Sequence, residues 1–594
     1  MRRLFAILAI YAPLAAAADS AADQAHALFE RDWQWRLRHQ PELATSVGDH
    51  RFDDKLADTS LNGLRAATEH EHRMFDAIKA IDRDQLAGQD RISYDLFLDD
   101  KERKLAAAAF YPFDPYPITA QNGLHIRLPQ LVAQMQFADE DDYRNYIARL
   151  QALPRHVDGL IEQMRYGMRN GWVAPKVVMQ PLPALLRAMR EHLADGPLGS
   201  PLRALPATID KDVREQLAAS GSAALADSAA PALQRLEEFV RTEYLPAARD
   251  AIAASSLPGG AAWYAFVVRG ATTTNMSPAE INALGLKEVA RLRGEIVAAI
   301  PRTGFRGSFE QFAAFARSDP RLFYVDPEAL LARYRRTLER AQARLPDLFA
   351  TVPKEDIVVK PIQGAGAEQQ PGAYYEAGGP GRVAALVVNT SRLNTRPMWE
   401  VDTLTLHEGV PGHHVQVARA HEIEGLPAFR RYAWYVAFGE GWALYAESLG
   451  PQLGLYKDPF SSFGHLNDEL FRAVRLVVDT GIHALGWSRQ QAIDYMNANT
   501  ANPPADNEAE VDRYIAQPGQ ALGYKIGQLR ILALREKAQA ALGPRFDLKR
   551  FHNAVIDNGA LPLAVLEREI ERWIGQESAP KAETPKPAPA HPPG

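Results

Sequence analysis

Between Leu404 and Gln416 the chain reads Leu404-Thr405-Leu406-His407-Glu408-Gly409-Val410-Pro411-Gly412-His413-His414-Val415-Gln416, with three imidazoles and one carboxylate inside eight residues. A His-Glu pair on a helix can divide the work at a metal, because one side chain ligates while its neighbour points elsewhere and handles a proton. His407 and Glu408 have that arrangement. The usual second imidazole sits four residues on, but that position is Pro411, and His413 and His414 follow His407 by six and seven. On an unbroken helix seven residues restore the face but separate the side chains by about 10 Å along the axis, too far for two ligands of one ion. Pro411 removes a backbone donor and Gly412 permits angles closed to other residues, so Gly409 to Gly412 reads as a bulge that returns either His413 or His414 to His407. Spacing does not choose between the two. The plain alternative is an ordinary helix, a proline turn and exposed histidines.

A second motif follows in Phe438-Gly439-Glu440-Gly441-Trp442-Ala443-Leu444-Tyr445-Ala446-Glu447-Ser448-Leu449, where Glu440 lies 27 residues after His413. HEGVPGHHVQ followed by GEGWALYAESLG resembles a large bacterial family of uncharacterised helical proteins, related to the gluzincin zinc peptidases such as angiotensin-converting enzyme, thimet oligopeptidase and the thermostable carboxypeptidases. The resemblance runs from about residue 25 to 575. It implies a mainly α, large two-lobed zinc-peptidase-like fold with a small β-sheet beside the metal helix and a deep central cleft. It implies one zinc ion held by His407, His413 and Glu440, with Glu408 as general acid and base. His413 is favoured over His414 because the family pattern varies at the latter position. Glu447, seven residues after Glu440 and on nearly the same face, is placed to orient a ligand histidine. The chain departs from the named peptidases, which keep the four-residue spacing, by two extra residues between the histidines. It also carries Asn282 where the family usually has histidine, a change that bears on specificity if that position touches substrate.

Helical periodicity dominates the elements that must hold these residues. Helices are predicted over 22–40, 62–82, 87–109, 139–170, 176–195, 208–221 and 229–256, and again over 399–422, 427–450, 460–485, 488–498, 507–516, 519–541, 547–556 and 561–574. Ser277-Pro278-Ala279-Glu280 is a capping box that opens a further helix reaching about Ile300. Upstream of the metal motif, Ile357-Val358-Val359 and Val383 to Asn389 are β-branched and apolar, which signals a small sheet. In the related peptidases an edge strand here pairs with an extended substrate, so Tyr374, Tyr375 and Asn389 are candidate substrate contacts; a purely structural hairpin is the alternative. In Phe471 to His483, Arg475, Asp479 and His483 follow at four-residue steps. They read either as a helix-face ion pair or, with the family resemblance, as a substrate-carboxylate contact (Arg475) and a transition-state hydrogen bond (His483). Tyr524 follows Pro518-Gly519 on the first turns of a new helix, where its hydroxyl can donate to an oxyanion, as in the related peptidases.

The chain opens with Met1-Arg2-Arg3, an apolar run from Leu4 to Leu14 and four alanines before Asp19, so 1–18 reads as a signal peptide. With no cysteine there is neither a disulfide nor a thiolate ligand nor a lipid-modified cysteine, and a periplasmic or secreted protein without a stable membrane anchor is expected. A net charge of -6 argues against nucleic acid as partner. Residues 19–576 are expected to form one large helical domain, and 577–594, rich in Pro, Lys and Ala, a disordered tail. Two classes of function follow. One is a zinc metallohydrolase, a peptidase acting on short peptides or a variant acting on non-peptide amides or esters. The other is a metal- or peptide-binding protein without turnover.

Overall fold

The structure is a computed structural model, and it describes residues 20–362, 371–379 and 381–579. The expected signal peptide and residues 580–594 of the expected tail lie outside these. Among the described residues the helices of nine residues or more are α1 (Ala21–His39), α2 (Leu61–Lys79), α3 (Gly88–Phe110), α4 (Leu124–Gln134), α5 (Glu140–Asn170), α6 (Leu182–Glu191), α7 (Lys211–Ala224), α8 (Ala230–Phe239), α9 (Gly260–Thr272), α10 (Pro278–Ala299), α11 (Phe309–Ser318) and α12 (Pro327–Ala343). After a small sheet come α13 (His413–Glu422), α14 (Val436–Glu447), α15 (Pro459–Leu485), α16 (Arg489–Asn499), α17 (Pro504–Ala516), α18 (Gly523–Leu542), α19 (Leu548–Ile556) and α20 (Leu563–Ser578). The protein is mainly helical.

Where caps and periodicity agree, the expected helices form. Ser277 accepts from the Glu280 amide while Glu280 reaches back to Ser277, and α10 opens there. Other expectations are corrected. The stretch 176–195 divides at Pro181, 427–450 begins its main helix only at Val436, and the first residues of the expected tail are the end of α20. Helices α4, α9, α11 and α12 lie outside the expected set, although α12 carries a legible start in its Asp326 cap and Pro327 at the first helical position.

One apolar core extends from Leu96 to Ile570, and Phe429 packs against it and against two smaller clusters built from α1 to α3. At its centre lies α15, buried almost throughout from Ser461 to His483. Its neighbour α14 is buried from Ala437 to Glu447. This helix meets α18 backbone to backbone: a Cβ added at Gly441 would fall 2.4 Å from the Cα of Gly527. The two glycines therefore set how close Glu440 on one helix comes to Tyr524 on the other.

The sheet has three strands in the order β1-β3-β2: β1 (Ile357–Pro361), β2 (Ala373–Glu376) and β3 (Ala384–Val388). The central strand β3 is fully buried, pairs in parallel with β1 and antiparallel with β2, and sets Tyr375 opposite Leu386. Tyr374 and Tyr375 thus lie in a strand that the apolar runs alone did not mark.

Replacing Gly441 with alanine forces α14 and α18 apart and is expected to lower stability by about 1–3 kcal/mol, read as a fall in Tm; an unchanged Tm would show that the contact tolerates the extra methyl.

Candidate metal centre

The metal motif is not one helix with a bulge. A short helix, Val401–Leu404, continues in π form through Thr405–Gly409, the chain runs extended at Val410, and a new helix, α13, starts at His413. Pro411 offers no donor to continue the first helix. The break is held from outside by the Trp442 indole, which donates to the carbonyls of Pro411 (3.0 Å) and Gly412 (3.2 Å). The first segment is anchored by Asp402, buried and bonded to Arg333 (2.7 Å), Thr337 (2.9 Å) and Ser461 (2.6 Å).

Two helix ends therefore present their histidines to one point. His407 Nε2 lies 3.5 Å and His413 Nε2 3.4 Å from the same oxygen of Glu440, Oε2. Zinc bonds of about 2.0–2.2 Å in a tetrahedron separate ligand atoms by roughly 3.3–3.6 Å, so each imidazole stands from Glu440 at the separation that a shared zinc ion would give. Behind them His407 Nδ1 donates to Glu447 Oε1 at 2.7 Å, which fixes the ring and leaves Nε2 as the lone-pair atom. His407, Glu408 and His413 also each present one ligand atom within 4.8 Å of the others. The oxygen of Glu408 is nevertheless 3.9 Å from His413 and already accepts the Tyr375 amide at 3.0 Å, so it borders the centre and Glu440 bridges it.

His414 is turned away. Its Nε2 donates to the Glu355 carbonyl at 3.0 Å, its Nδ1 lies 3.3 Å from the Tyr375 hydroxyl, and burial brings its pKa down to about 4. Burial would also lower the pKa of His407, but the facing carboxylates of Glu440 and Glu447 outweigh it and raise it to about 9 when no cation lies between them; a metal ion at Nε2 would take the place of that proton. Burial opposes ionisation of Glu440, yet the two histidines hold it well below the ordinary carboxylate range. Such surroundings favour a cation.

A cavity of about 2130 Å³ opens beside this centre, lined among others by Tyr374, Tyr375, Arg475 and Tyr524. The Tyr524 ring stacks on His407 with centroids 6.3 Å apart, and burial, then the charge of Glu440, raises its pKa, so the hydroxyl remains a donor. Arg475 lies over the Tyr524 ring at 4.5 Å and donates to the Tyr514 hydroxyl (3.0 Å) and to Glu510 (3.1 Å).

Three expected contacts are corrected. His483 is fully buried away from the cavity lining; Nδ1 accepts the Ala254 amide and Nε2 donates to the Tyr514 carbonyl, both at 3.0 Å, so it ties segments together instead of meeting substrate. Asp479 does not pair with Arg475 but accepts from the Tyr264 hydroxyl (2.5 Å) and the Gly519 amide. Asn389 is buried, and its side-chain oxygen Oδ1 accepts from the amide (3.0 Å) and hydroxyl (2.6 Å) of Ser391, which shapes the turn after β3. Asn282 donates to Thr480 at 2.9 Å and joins α10 to α15, outside the cavity lining. Sequence reasoning also passed over Asp402, Arg472 and Trp434; for Arg472 a signal existed, since it precedes Arg475 by one helical turn on the same face.

The model of a bacterial protein family of unknown function, DUF885, matches residues 41–570. Among solved structures the chain is similar to "the putative lipoprotein from Colwellia psychrerythraea", with 29% identity, a TM-score of 0.88, and coverage of 94% of this chain and 100% of that one. It shares its fold with "a putative lipoprotein of unknown function from Shewanella oneidensis", at 18% identity, a TM-score of 0.64, and coverage of 93% and 99%. No curated protein matches the chain.

Alanine at His407, His413 or Glu440 is expected to remove most bound zinc, measured by elemental analysis of the purified protein, whereas His414→Ala retains it; retention in His413→Ala with loss in His414→Ala would reverse the assignment. Glu447→Gln should weaken zinc affinity by about 10- to 100-fold.

Proposed function

We propose that this chain, which belongs to the bacterial DUF885 family of unknown function, is an exported zinc-dependent metallohydrolase that cleaves short peptides. The observation that carries this reading is the convergence of His407 Nε2 and His413 Nε2 on one oxygen of Glu440, at 3.5 and 3.4 Å, with Glu408 beside them and Glu447 behind. The fold that goes with it is a two-lobed, helical, zinc-peptidase-like body related to the gluzincins, with the cavity as its cleft. That cavity, about 2130 Å³ and bordered by β2, supports short peptides as substrates. The description of relatives as lipoproteins supports an envelope or exported setting, periplasmic or secreted, and no helix among the described residues is long and apolar enough to cross a membrane.

Zinc, when held by His407, His413 and Glu440, polarises a carbonyl and brings the pKa of water toward 7. Glu408 takes the proton of the attacking water and delivers it to the leaving amine; the Tyr375 amide, 3.0 Å from its Oε2, holds the carboxylate in position for both transfers. The Tyr524 hydroxyl donates to the oxygen that gains charge as the carbonyl is attacked. β2, an edge strand of the sheet, offers main-chain groups to an extended peptide, and Arg475 takes a substrate carboxylate.

A quenched library of short peptides is expected to be hydrolysed by the zinc-loaded protein, to resist it after chelation, and to be hydrolysed again when zinc is restored; no metal-dependent turnover would leave a binding protein, and turnover confined to non-peptide amides or esters would move the substrate class. Glu408→Gln should keep its zinc and lose about 100- to 10,000-fold in kcat; loss of zinc would make Glu408 a ligand. Tyr524→Phe should lose about 100- to 1000-fold in kcat with KM and zinc content little changed, and an unchanged kcat would remove Tyr524 from the chemistry.

A further inference from the structure

Trp434 is 48% exposed, yet it lines the cavity with its ring 5.6 Å from that of His413. Leaving an indole face in water forgoes about 25 cal/mol for each Å² of apolar surface, and the fold makes room for it there. A Cβ at Gly439 would fall 2.4 Å from the ring, so α14 carries no side chain where the indole rests. Val417 and Ala420 follow His413 by four and seven residues, which puts them on its face of α13, and both line the cavity together with Ala433. The same two segments also bring polar side chains to the cavity, namely Gln416, His421 and Arg431.

Beyond the other histidine the surroundings differ. Tyr524 stacks on His407, and the guanidinium of Arg475 lies over Tyr524 at 4.5 Å. The centre thus has Trp434, Val417 and Ala420 on the side of His413 and, on the side of His407, the arginines Arg472, Arg475 and Arg513, of which Arg475 is paired with Glu510.

We propose that Trp434, Val417 and Ala420 form a side-chain subsite that selects a large apolar or aromatic residue on the carbonyl side of the cleaved bond. The leaving portion, with its free carboxylate, runs toward Arg475. This names the substrate class of the zinc-peptidase reading and rests on it. A flat apolar ring against the indole gains the area buried and the ring-on-ring term together. An alanine there leaves the Trp434 face wet.

Two peptides that differ only in Phe or Ala on the carbonyl side of the cleaved bond test this with the full zinc-loaded chain, cleavage positions being read by mass spectrometry. The wild type is expected to favour Phe in kcat/KM by at least about tenfold, and Trp434→Ala to erase about tenfold of that preference, while Trp434→Phe keeps most of it. The ratio does not depend on how much protein is folded or metal-loaded, so mere damage to His413 would not move it. An unchanged ratio in Trp434→Ala, or a preference on the amine side of the bond instead, overturns the subsite and leaves the hydrolase reading intact. Calorimetric affinities of both peptides for Glu408→Gln, with and without Trp434→Ala, separate the two claims. If the wild type hydrolyses neither peptide the hydrolase reading fails; the subsite then stands on a Phe-over-Ala affinity that Trp434→Ala abolishes, and equal affinities overturn it.

Discussion

Two carboxylates, Glu440 and Glu447, sit on a helix that is buried from Ala437 to Glu447, and the need to compensate them organises the centre of the molecule. An ionised carboxylate removed from water costs several kcal/mol unless opposite charge or donors meet it. His407 meets both, with Nδ1 on Glu447 at 2.7 Å and Nε2 facing Glu440 at 3.5 Å, and His413 supplies a second imidazole to Glu440. Arg472 of α15 stands 4.0 Å from Glu447. Each of these partners comes from a different helix, so the packing of the short helix that carries His407, α13, α14 and α15 is tied to one electrostatic requirement.

The way the histidines converge shows why a motif spacing is a statement about backbone and not about chemistry. On a continuous helix two ligands of one ion need a four-residue step, because only then do neighbouring turns bring their side chains together. Here the first helix ends at Gly409 and the second begins at His413, and the ends of two helices meet across the break. The six-residue step then imposes no penalty, provided something outside the motif holds the two ends in register. Trp442 does so from α14, the same helix that carries Glu440. The candidate ligand and its brace thus sit on one helix.

The wall of the cavity carries the same logic outward. Glu408 is held by a strand amide, Tyr524 by stacking on His407, and Arg475 by stacking on Tyr524, so each of these side chains is positioned by a neighbour from another element. The Gly441–Gly527 contact sets the distance between α14, which carries Glu440, and α18, which carries Tyr524.

The sequence by itself determined the helical class, the capping box of α10, the apolar runs that became β1 and β3, and the short set of residues from which the centre is drawn. Those are local properties: propensity, periodicity and the chemistry of side chains near in the chain. Its spacing did not decide between His413 and His414, where only the family resemblance favoured His413, because the two are adjacent in sequence and differ in which way the start of α13 turns them. It placed His483 and Asn389 at a site they do not reach, because a residue's type says nothing of whether a backbone carbonyl or amide from elsewhere will occupy it. It gave no weight to Trp434 or Asp402, whose roles come from a glycine on α14 and from Arg333, Thr337 and Ser461 on other helices. Only the tertiary structure decides such matters, since burial and partner choice are settled by contacts between segments far apart in the chain.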